Sequence, residues 1–232
     1  MQKEFDSLTI IIPCFNEQDN LIECVKRIPT LPYETEIIAV DDGSRDNTLN
    51  EMKKINRKNF SFYSYEKNKG KGYALRHALQ KSKNDVVIIQ DCDMATMPEE
   101  IQKVIKPIFE DKADFVNTSR LNNSMEKNAM TFLRVIGNNY FALLVSLLTG
   151  FKFSDALSGF KAFKRKDFVN QIKENGWMDF ELIFLAKKKK LRVVEIPIQY
   201  KKRTAGKSKM NDFIDFIKMN FMLLKCFFSR ID

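Results

Sequence analysis

The chain has 232 residues, 44% hydrophobic and 30% charged, with few glycines and prolines, a globular composition that is long enough for one large domain and excludes a low-complexity chain. Its 39 Lys and Arg against 30 Asp and Glu give a net charge of +9, which favours anionic partners: nucleotides, phosphorylated lipids or nucleic acid. A single histidine, His77, excludes a multi-histidine metal site, and the four cysteines Cys14, Cys24, Cys92 and Cys226 have neither C-x-x-C nor zinc-site spacing, as in a reduced, cytosolic chain.

The acidic N-terminus lacks the pattern of a signal peptide, and "LTIIIPCF" (8–15) is a strand-length apolar run stopped by Pro13. Residues 16–28 place Leu21, Ile22, Val25 and Ile28 at helical spacing. "TEIIAVDDGS" (35–44) is a second strand ending in acids and glycine, and 46–55 a helix capped by Asp46 or Asn47. Residues 60–66 alternate as a strand, and "GYALRHALQKS" (72–82) is a helix. "DVVIIQDCD" (85–93) is another apolar strand, 98–111 a helix with proline at its start, and 113–120 a strand. Strands alternating with helices predict an open, mainly parallel α/β sheet whose central strands are buried on both faces.

After residue 120 the rhythm changes. Residues 130–148 are helical, with Leu133, Ile136, Tyr140, Leu143, Leu144, Leu147 and Leu148 on one face. "FSDALSGFKAFKRK" (153–166) is a turn region and basic stretch, 177–190 a helix, 191–200 a strand and 201–210 a basic loop. The end, 213–228, is a helix with Phe213, Phe216, Ile217, Phe221, Leu224, Phe227 and Phe228 on one stripe. The boundaries expected are one domain over 1–210 and an amphipathic helix over 211–232.

Ligands of an open α/β sheet bind beyond the carboxyl ends of its strands. Here those ends are Pro13–Glu17, Asp41–Ser44 and Asp91–Asp93. Carboxylates there can accept hydrogen bonds from a base or ribose, or hold a hard cation through oxygen. Strand ends are also common places for turn-forming Asp and Asn, so each alone is weak. "NKGKGYA" (68–74) adds glycines and lysines before a helix, whose N-terminus attracts phosphate.

In order and spacing, "IIIPCFNE", "VDDGSRDNT", "NKGKGYA", "QDCDMAT" and "SDALSGFKAF" resemble family 2 glycosyltransferases. "WMDFELIFLA" and "RTAGKSK" extend the resemblance to the polyprenyl-phosphate branch, the dolichol-phosphate mannose synthases and glucosyltransferases. The resemblance covers about residues 8–210 and implies a Rossmann-like GT-A fold, a nucleotide-diphosphate sugar donor (UDP- or GDP-linked) and a polyprenyl-phosphate acceptor. It implies that Pro13, Phe15 and Glu17 line the nucleoside pocket, that Asp42 contacts the base with Asp41 supporting the loop, and that Lys71 borders the nucleotide. Asp91, Cys92 and Asp93 match the D-x-D motif at the donor, with Asp91 and Asp93 the ligands of Mg²⁺ or Mn²⁺, Asp93 the more direct, and Cys92 a small filler turned away. Arg120, Arg134, Arg203 and Lys209 match basic residues that hold phosphates, and Asp179 and Glu181 would orient sugar hydroxyls, unless they are plain helix-surface acids. Two positions depart from the mannose-synthase pattern: Ala95 stands where a metal-assisting Gln is usual, and Phe15 replaces the commoner Tyr.

A lipid acceptor implies a membrane surface. Asp215, Lys218 and Lys225 interrupt the C-terminal helix as a spanning segment, so it is expected to lie in the interface, peripheral on the cytoplasmic face, or else to pack on the domain. A separate membrane subunit fits the same resemblance. A soluble-saccharide or polymer acceptor and a non-catalytic nucleotide- or membrane-binding module are the alternatives; "RTAGKSK" disfavours the first, and the intact acidic and basic motifs the second. Nucleic acid is not expected, because no docking motif accompanies the basic residues.

Overall fold

In the computed structural model, which describes residues 6–121, 125–205 and 212–229, the apolar runs of the first half become strands of one sheet. These are β1 (Ser7–Cys14), β2 (Glu34–Asp41), β3 (Phe60–Ser64) and β4 (Val86–Ile89), joined by α1 (Leu21–Arg27), α2 (Thr48–Lys54) and α3 (Lys71–Lys81). A 3-10 turn, Pro98–Glu100, leads into α4 (Ile101–Phe109) and β5 (Phe115–Ser119). Then come α5 (Phe132–Thr149), β6 (Lys161–Lys164), α6 (Arg165–Phe168), α7 (Met178–Lys188), β7 (Val193–Pro197) and α8 (Asp212–Phe228). The order across the sheet is β3-β2-β1-β4-β6-β5-β7. All neighbours are parallel except β6, which runs antiparallel between β4 and β5.

The continuous apolar runs are explained by burial on both faces. Ile11, Ile38, Val40, Val87 and Ile89 join Leu75, Leu79, Phe141, Val145, Phe180 and Ile183 in one core. Their strand neighbours Ile10, Ile12, Ile37, Ala39, Val86 and Ile88 point the other way, to Leu21, Val25, Val104, Ile105 and Ile108. Each large side chain so buried contributes roughly 1.5–3 kcal/mol. The result is the expected mainly parallel α/β sheet flanked by helices.

Three features differ from or add to the sequence-based expectations. The segment "KAFK" is a fully buried strand, β6, inside the stretch expected to be a turn and basic run. The stripe expected on α5 is largely its outer face: Leu133, Ile136, Tyr140, Leu143 and Leu147 are exposed. The inner face is Asn138, Phe141, Ala142, Val145 and Thr149, because this helix is apolar around most of its circumference. On α8, Met219, Leu223 and Cys226 are buried, while Phe213, Ile217, Phe221, Leu224 and Phe228 remain exposed.

Candidate active site

β1 and β4 are neighbours in the sheet although β2 and β3 intervene in sequence. The chain therefore leaves β1 toward one edge and β4 toward the other, and a crevice opens beyond their carboxyl ends. Asp91, Cys92 and Asp93 follow β4 directly into it. Buried Gln90 shapes this turn, its Nε2 donating to Asp91 O at 2.9 Å and to Thr96 O at 3.0 Å. The Ala95 backbone N–H donates to Asp93 Oδ1 at 3.0 Å.

Both aspartates already carry a side-chain cation. Lys71, the first residue of α3, donates through Nζ to Asp91 Oδ1. Arg203 Nη2 lies 2.8 Å from Asp93 Oδ2. Burial alone would raise the Asp91 carboxyl, but Lys71 beside it brings the balance below the ordinary range. Asp93 goes the other way, raised by burial and by the neighbouring Asp91, with Arg203 offsetting part of it. Gly159 makes the close approach of Lys71 to Asp91 sterically open, since a Cβ there would meet Lys71 Nζ and sit 2.6 Å from Asp91 Oδ2. The Arg203 loop is tied down over the turn: the Lys201 N–H donates to Ala95 O at 2.9 Å, and Asn20 Nδ2 donates to Ala205 O at 3.4 Å. Lys209 lies outside the described residues.

The oxygens of Asp91 and Asp93 fit a hard divalent cation. No group of three or more His, Cys, Asp or Glu among the described residues is placed to hold a metal ion, so a cation on Asp91 and Asp93 would draw only two carboxylates from the protein. Mg²⁺ and Mn²⁺ accept that arrangement because water and phosphate oxygens complete their coordination.

A second tier of charge lies behind the first. Asp155, fully buried, takes Arg120 in a fork, Nε at 2.7 Å and Nη2 at 3.0 Å, and also accepts from the backbone N–H of Arg120 at 3.0 Å. The Arg120 guanidinium lies 5.3 Å from the centre of the Tyr200 ring. Lys161, fully buried at the start of β6, donates to Asn117 Oδ1 at 2.7 Å and to Ser158 O, and stands 3.5 Å from Asp179 Oδ1. Burial raises the Asp179 carboxyl, with Lys161 and Lys71 working against it.

The strand ends on the β1 side form a separate, self-braced wall. Asp41 accepts from the Ser44 N–H at 3.0 Å and the Ser64 hydroxyl at 2.8 Å. Asp42 accepts from Lys69 N at 2.8 Å and from Gly70 N and Asn68 Nδ2, both at 2.9 Å. Both carboxylates thus brace loops in this structure. Pro13 pairs with Val40 one residue before the end of β1. Phe15 and Glu17 sit half-buried beyond it, Glu17 accepting from Asn20 Nδ2 at 2.8 Å and donating its N–H to Thr48 Oγ1 at 2.8 Å.

The N-terminus of α3, expected to attract phosphate, is filled by the protein: Asn175 O accepts from Gly72 N at 2.7 Å and Tyr73 N at 3.3 Å. Gly70, at φ +97, and Gly72 permit this, because a Cβ on either would meet Asn175 O or Glu174 O. Glu181 is not brought to the aspartates; its carboxylate accepts from Lys173 N at 2.7 Å and Glu174 N at 3.0 Å, so it braces the segment that caps α3. Cys92 is buried beside Cys14 and Cys24, and thiol–thiol contact and burial push its pKa well up. Arg134 sits in the first turn of α5, its backbone N–H donating to Thr131 Oγ1 at 3.4 Å. His77 meets the rings of Tyr63 and Tyr65 edge-on at the sheet edge.

Sequence reasoning missed Asp155, Gly159 and Lys161, all within "SDALSGFKAF". A lysine inside a short apolar strand was the available signal, since such a cation must be paired when buried.

The model of the family described as glycosyl transferase family 2 matches residues 9–170. The UDP-N-acetylglucosamine–dolichyl-phosphate N-acetylglucosaminyltransferase of Methanococcus voltae is 31% identical over 211 residues, covering 82% of this chain and 84% of the relative. The dolichyl-phosphate beta-glucosyltransferase of Saccharomyces cerevisiae is 27% identical, over 91% of this chain and 71% of the relative. Glucosyl-3-phosphoglycerate synthase from Mycobacterium tuberculosis, solved with Mn²⁺, UDP-glucose and phosphoglyceric acid, matches with a TM-score of 0.72. That match covers 97% of this chain and 79% of the synthase chain, and at 17% identity it speaks for the fold alone.

Proposed function

Since the chain belongs to glycosyl transferase family 2, we propose that it moves a hexose from a UDP- or GDP-linked donor to a polyprenyl or dolichyl phosphate at a membrane surface. The observation that carries this is the convergence of the D-x-D aspartates with Lys71, Arg120 and Arg203 at one crevice, in a chain whose relatives are named for dolichyl-phosphate transfer.

An acceptor phosphate oxygen forms the bond to the anomeric carbon as the bond to the donor diphosphate breaks, with inversion. The acceptor is already ionised near neutral pH, so no strong general base is required. This suits a chain whose one histidine packs edge-on against tyrosines at the sheet edge. Mg²⁺ or Mn²⁺ held by Asp91 and Asp93 would offset the charge of the leaving diphosphate. The chain's own task is charge control. Arg203 and Lys71 lie next to the place the diphosphate would take, Arg120 is fixed behind them by Asp155, and Arg134 and Lys209 belong to the acceptor side of the same task. Pro13, Phe15 and Glu17 would line the nucleoside pocket, with Asp41 and Asp42 bracing its loop.

The outer faces of α5 and α8 support membrane association. Phe132, Leu133, Leu143 and Leu147 on one, and Phe213, Ile217, Phe221 and Leu224 on the other, are all more than half exposed. By length and composition α5 is the one described helix able to cross a bilayer, yet its inner face packs on α7 and α8. Lying in the interface with the apolar faces down fits both facts. Attachment to the cytoplasmic face, with or without a separate membrane subunit, follows from this reading.

The test is incubation with UDP- and GDP-sugars, Mg²⁺ or Mn²⁺, and polyprenyl phosphate. A lipid-linked sugar is expected with one donor. Tight nucleotide binding without transfer from any donor would overturn the reading in favour of a binding module.

A further inference from the structure

We propose that Lys161 is a positioning residue for the transferred sugar: its ammonium holds the Asp179 carboxylate so that Oδ1 receives a hydroxyl of the donor hexose. The assignment rests on the glycosyltransferase reading.

Two observations point to it independently. Asp179 Oδ1 is buried and accepts no hydrogen bond, with the Lys161 ammonium 3.5 Å away. Buried carboxylate oxygens are nearly always filled, so one left open marks the place of a partner that arrives from outside. Lys161 is the second observation. It is fully buried, and its cost in desolvation is not justified by stability, because apolar residues of similar size serve a core as well. Its remaining donors are used on Asn117 Oδ1 and Ser158 O, which fixes the ammonium against the wall of the crevice. Its third neighbour is Asp179.

The location, next to Asp91 and the end of β4, is where the proposal puts the donor sugar. Residues 158–161 reach Asp91 at one end and Asp179 at the other: Gly159 lies against Lys71 and Asp91, two residues before Lys161. The antiparallel insertion of β6 between β4 and β5 brings this about, since it carries Lys161 to the crevice beside the end of β4. A carboxylate oxygen with no donor takes a hydroxyl, and a fixed cation behind it keeps that oxygen aimed.

Hydroxyl recognition by a buried charged group is read out by removing the hydroxyl. Monodeoxy forms of whichever donor the wild-type enzyme uses (UDP-glucose, UDP-N-acetylglucosamine or GDP-mannose) are compared on wild type, Asp179→Asn and Lys161→Met, with UDP or GDP binding followed by calorimetry. Wild type is expected to lose about 10- to 100-fold in kcat/KM at one deoxy position. In both variants kcat/KM for the parent donor falls by a similar factor, the penalty at that one position shrinks to under about threefold, and nucleotide affinity is unchanged. A Lys161→Met enzyme that keeps the wild-type deoxy profile overturns the proposal. If Lys161→Met does not fold, Asp179→Asn decides: an undiminished penalty at every deoxy position overturns it equally. Absence of transfer by wild type with all donors is a different failure, which sinks the glycosyltransferase reading itself and this assignment with it.

Discussion

Replacing Asp155 with alanine is expected to destabilise the protein by about 3–5 kcal/mol, the usual cost of removing one member of a buried ion pair. The carboxylate is fully buried and accepts four hydrogen bonds: Arg120 Nε at 2.7 Å, and Arg120 Nη2, Arg120 N and Leu157 N, each at 3.0 Å. Alanine strands all four donors, including a guanidinium whose side chain is only 15% exposed. In a chain of 232 residues each kcal/mol shifts Tm by about 2–4 °C, so a fall of roughly 6–20 °C should appear in thermal melts. The pH dependence has a definite sign. Burial would raise the Asp155 carboxyl, but Arg120 and its hydrogen bonds outweigh burial and hold it below the ordinary range. Its contribution is then present above the unfolded value of about 3.9 and is lost as pH falls through the lower folded value. The gap between wild type and Asp155→Ala, followed by urea titration, should narrow on acidification below pH 4. A cost under 1 kcal/mol at pH 7, or a gap that widens in acid, would refute the reasoning. Replacing both partners, Asp155→Leu with Arg120→Met, should restore much of the stability and none of the activity.

Four further outcomes are expected. Asp93→Ala should lose at least ~100-fold in turnover, and retained activity would remove the metal assignment. Arg203→Gln should bind Mn²⁺ about 2- to 5-fold more tightly in the nucleotide-free protein, because a partly exposed competing cation is gone; electron paramagnetic resonance measures this, and unchanged or weaker binding would contradict the competition. Gly159→Ala should push Lys71 and Asp91 apart and cost ~10- to 100-fold in kcat/KM with little change in Tm, and normal kinetics would show that the contact is not needed. Ile217→Asp with Phe221→Asp, both exposed, should reduce flotation with anionic liposomes without altering the melt, whereas undiminished flotation would exclude this face of α8 from membrane binding.

The local levels of structure were legible in the sequence and the cross-chain contacts were not. Apolar runs such as "VVII" read directly as buried strands because period and composition act over a few residues. β6 was hidden because only four residues long and bounded by lysines, and its burial depends on β4 and β5, which flank it from far apart in sequence. The D-x-D pair was visible as a motif, but nothing local says that Lys71 and Arg203 rest on it. Glu181 shows the converse. Its spacing from Asp179 suggested a shared role, yet two positions along a helix are about 200° around its axis, and the two carboxylates serve different neighbours.

The pairing in the crevice is one to one: Lys71 with Asp91, Arg203 with Asp93, Arg120 with Asp155 and Lys161 with Asp179. The two outer pairs are partly open, and the two inner pairs are nearly closed to water. This pairing keeps two adjacent aspartates from repelling each other apart. Asp91 and Asp93 would hold a dication that offsets a diphosphate's charge, and Lys71 and Arg203, now on those carboxylates, are placed to bind the diphosphate's oxygens. The inner pairs are nearly closed to water, and their desolvated geometry would be costly to rebuild in each turnover. It follows that substitutions in the outer pairs should act on ion and nucleotide binding and on turnover, with stability little changed. Substitutions at Asp155 should register first as lost stability.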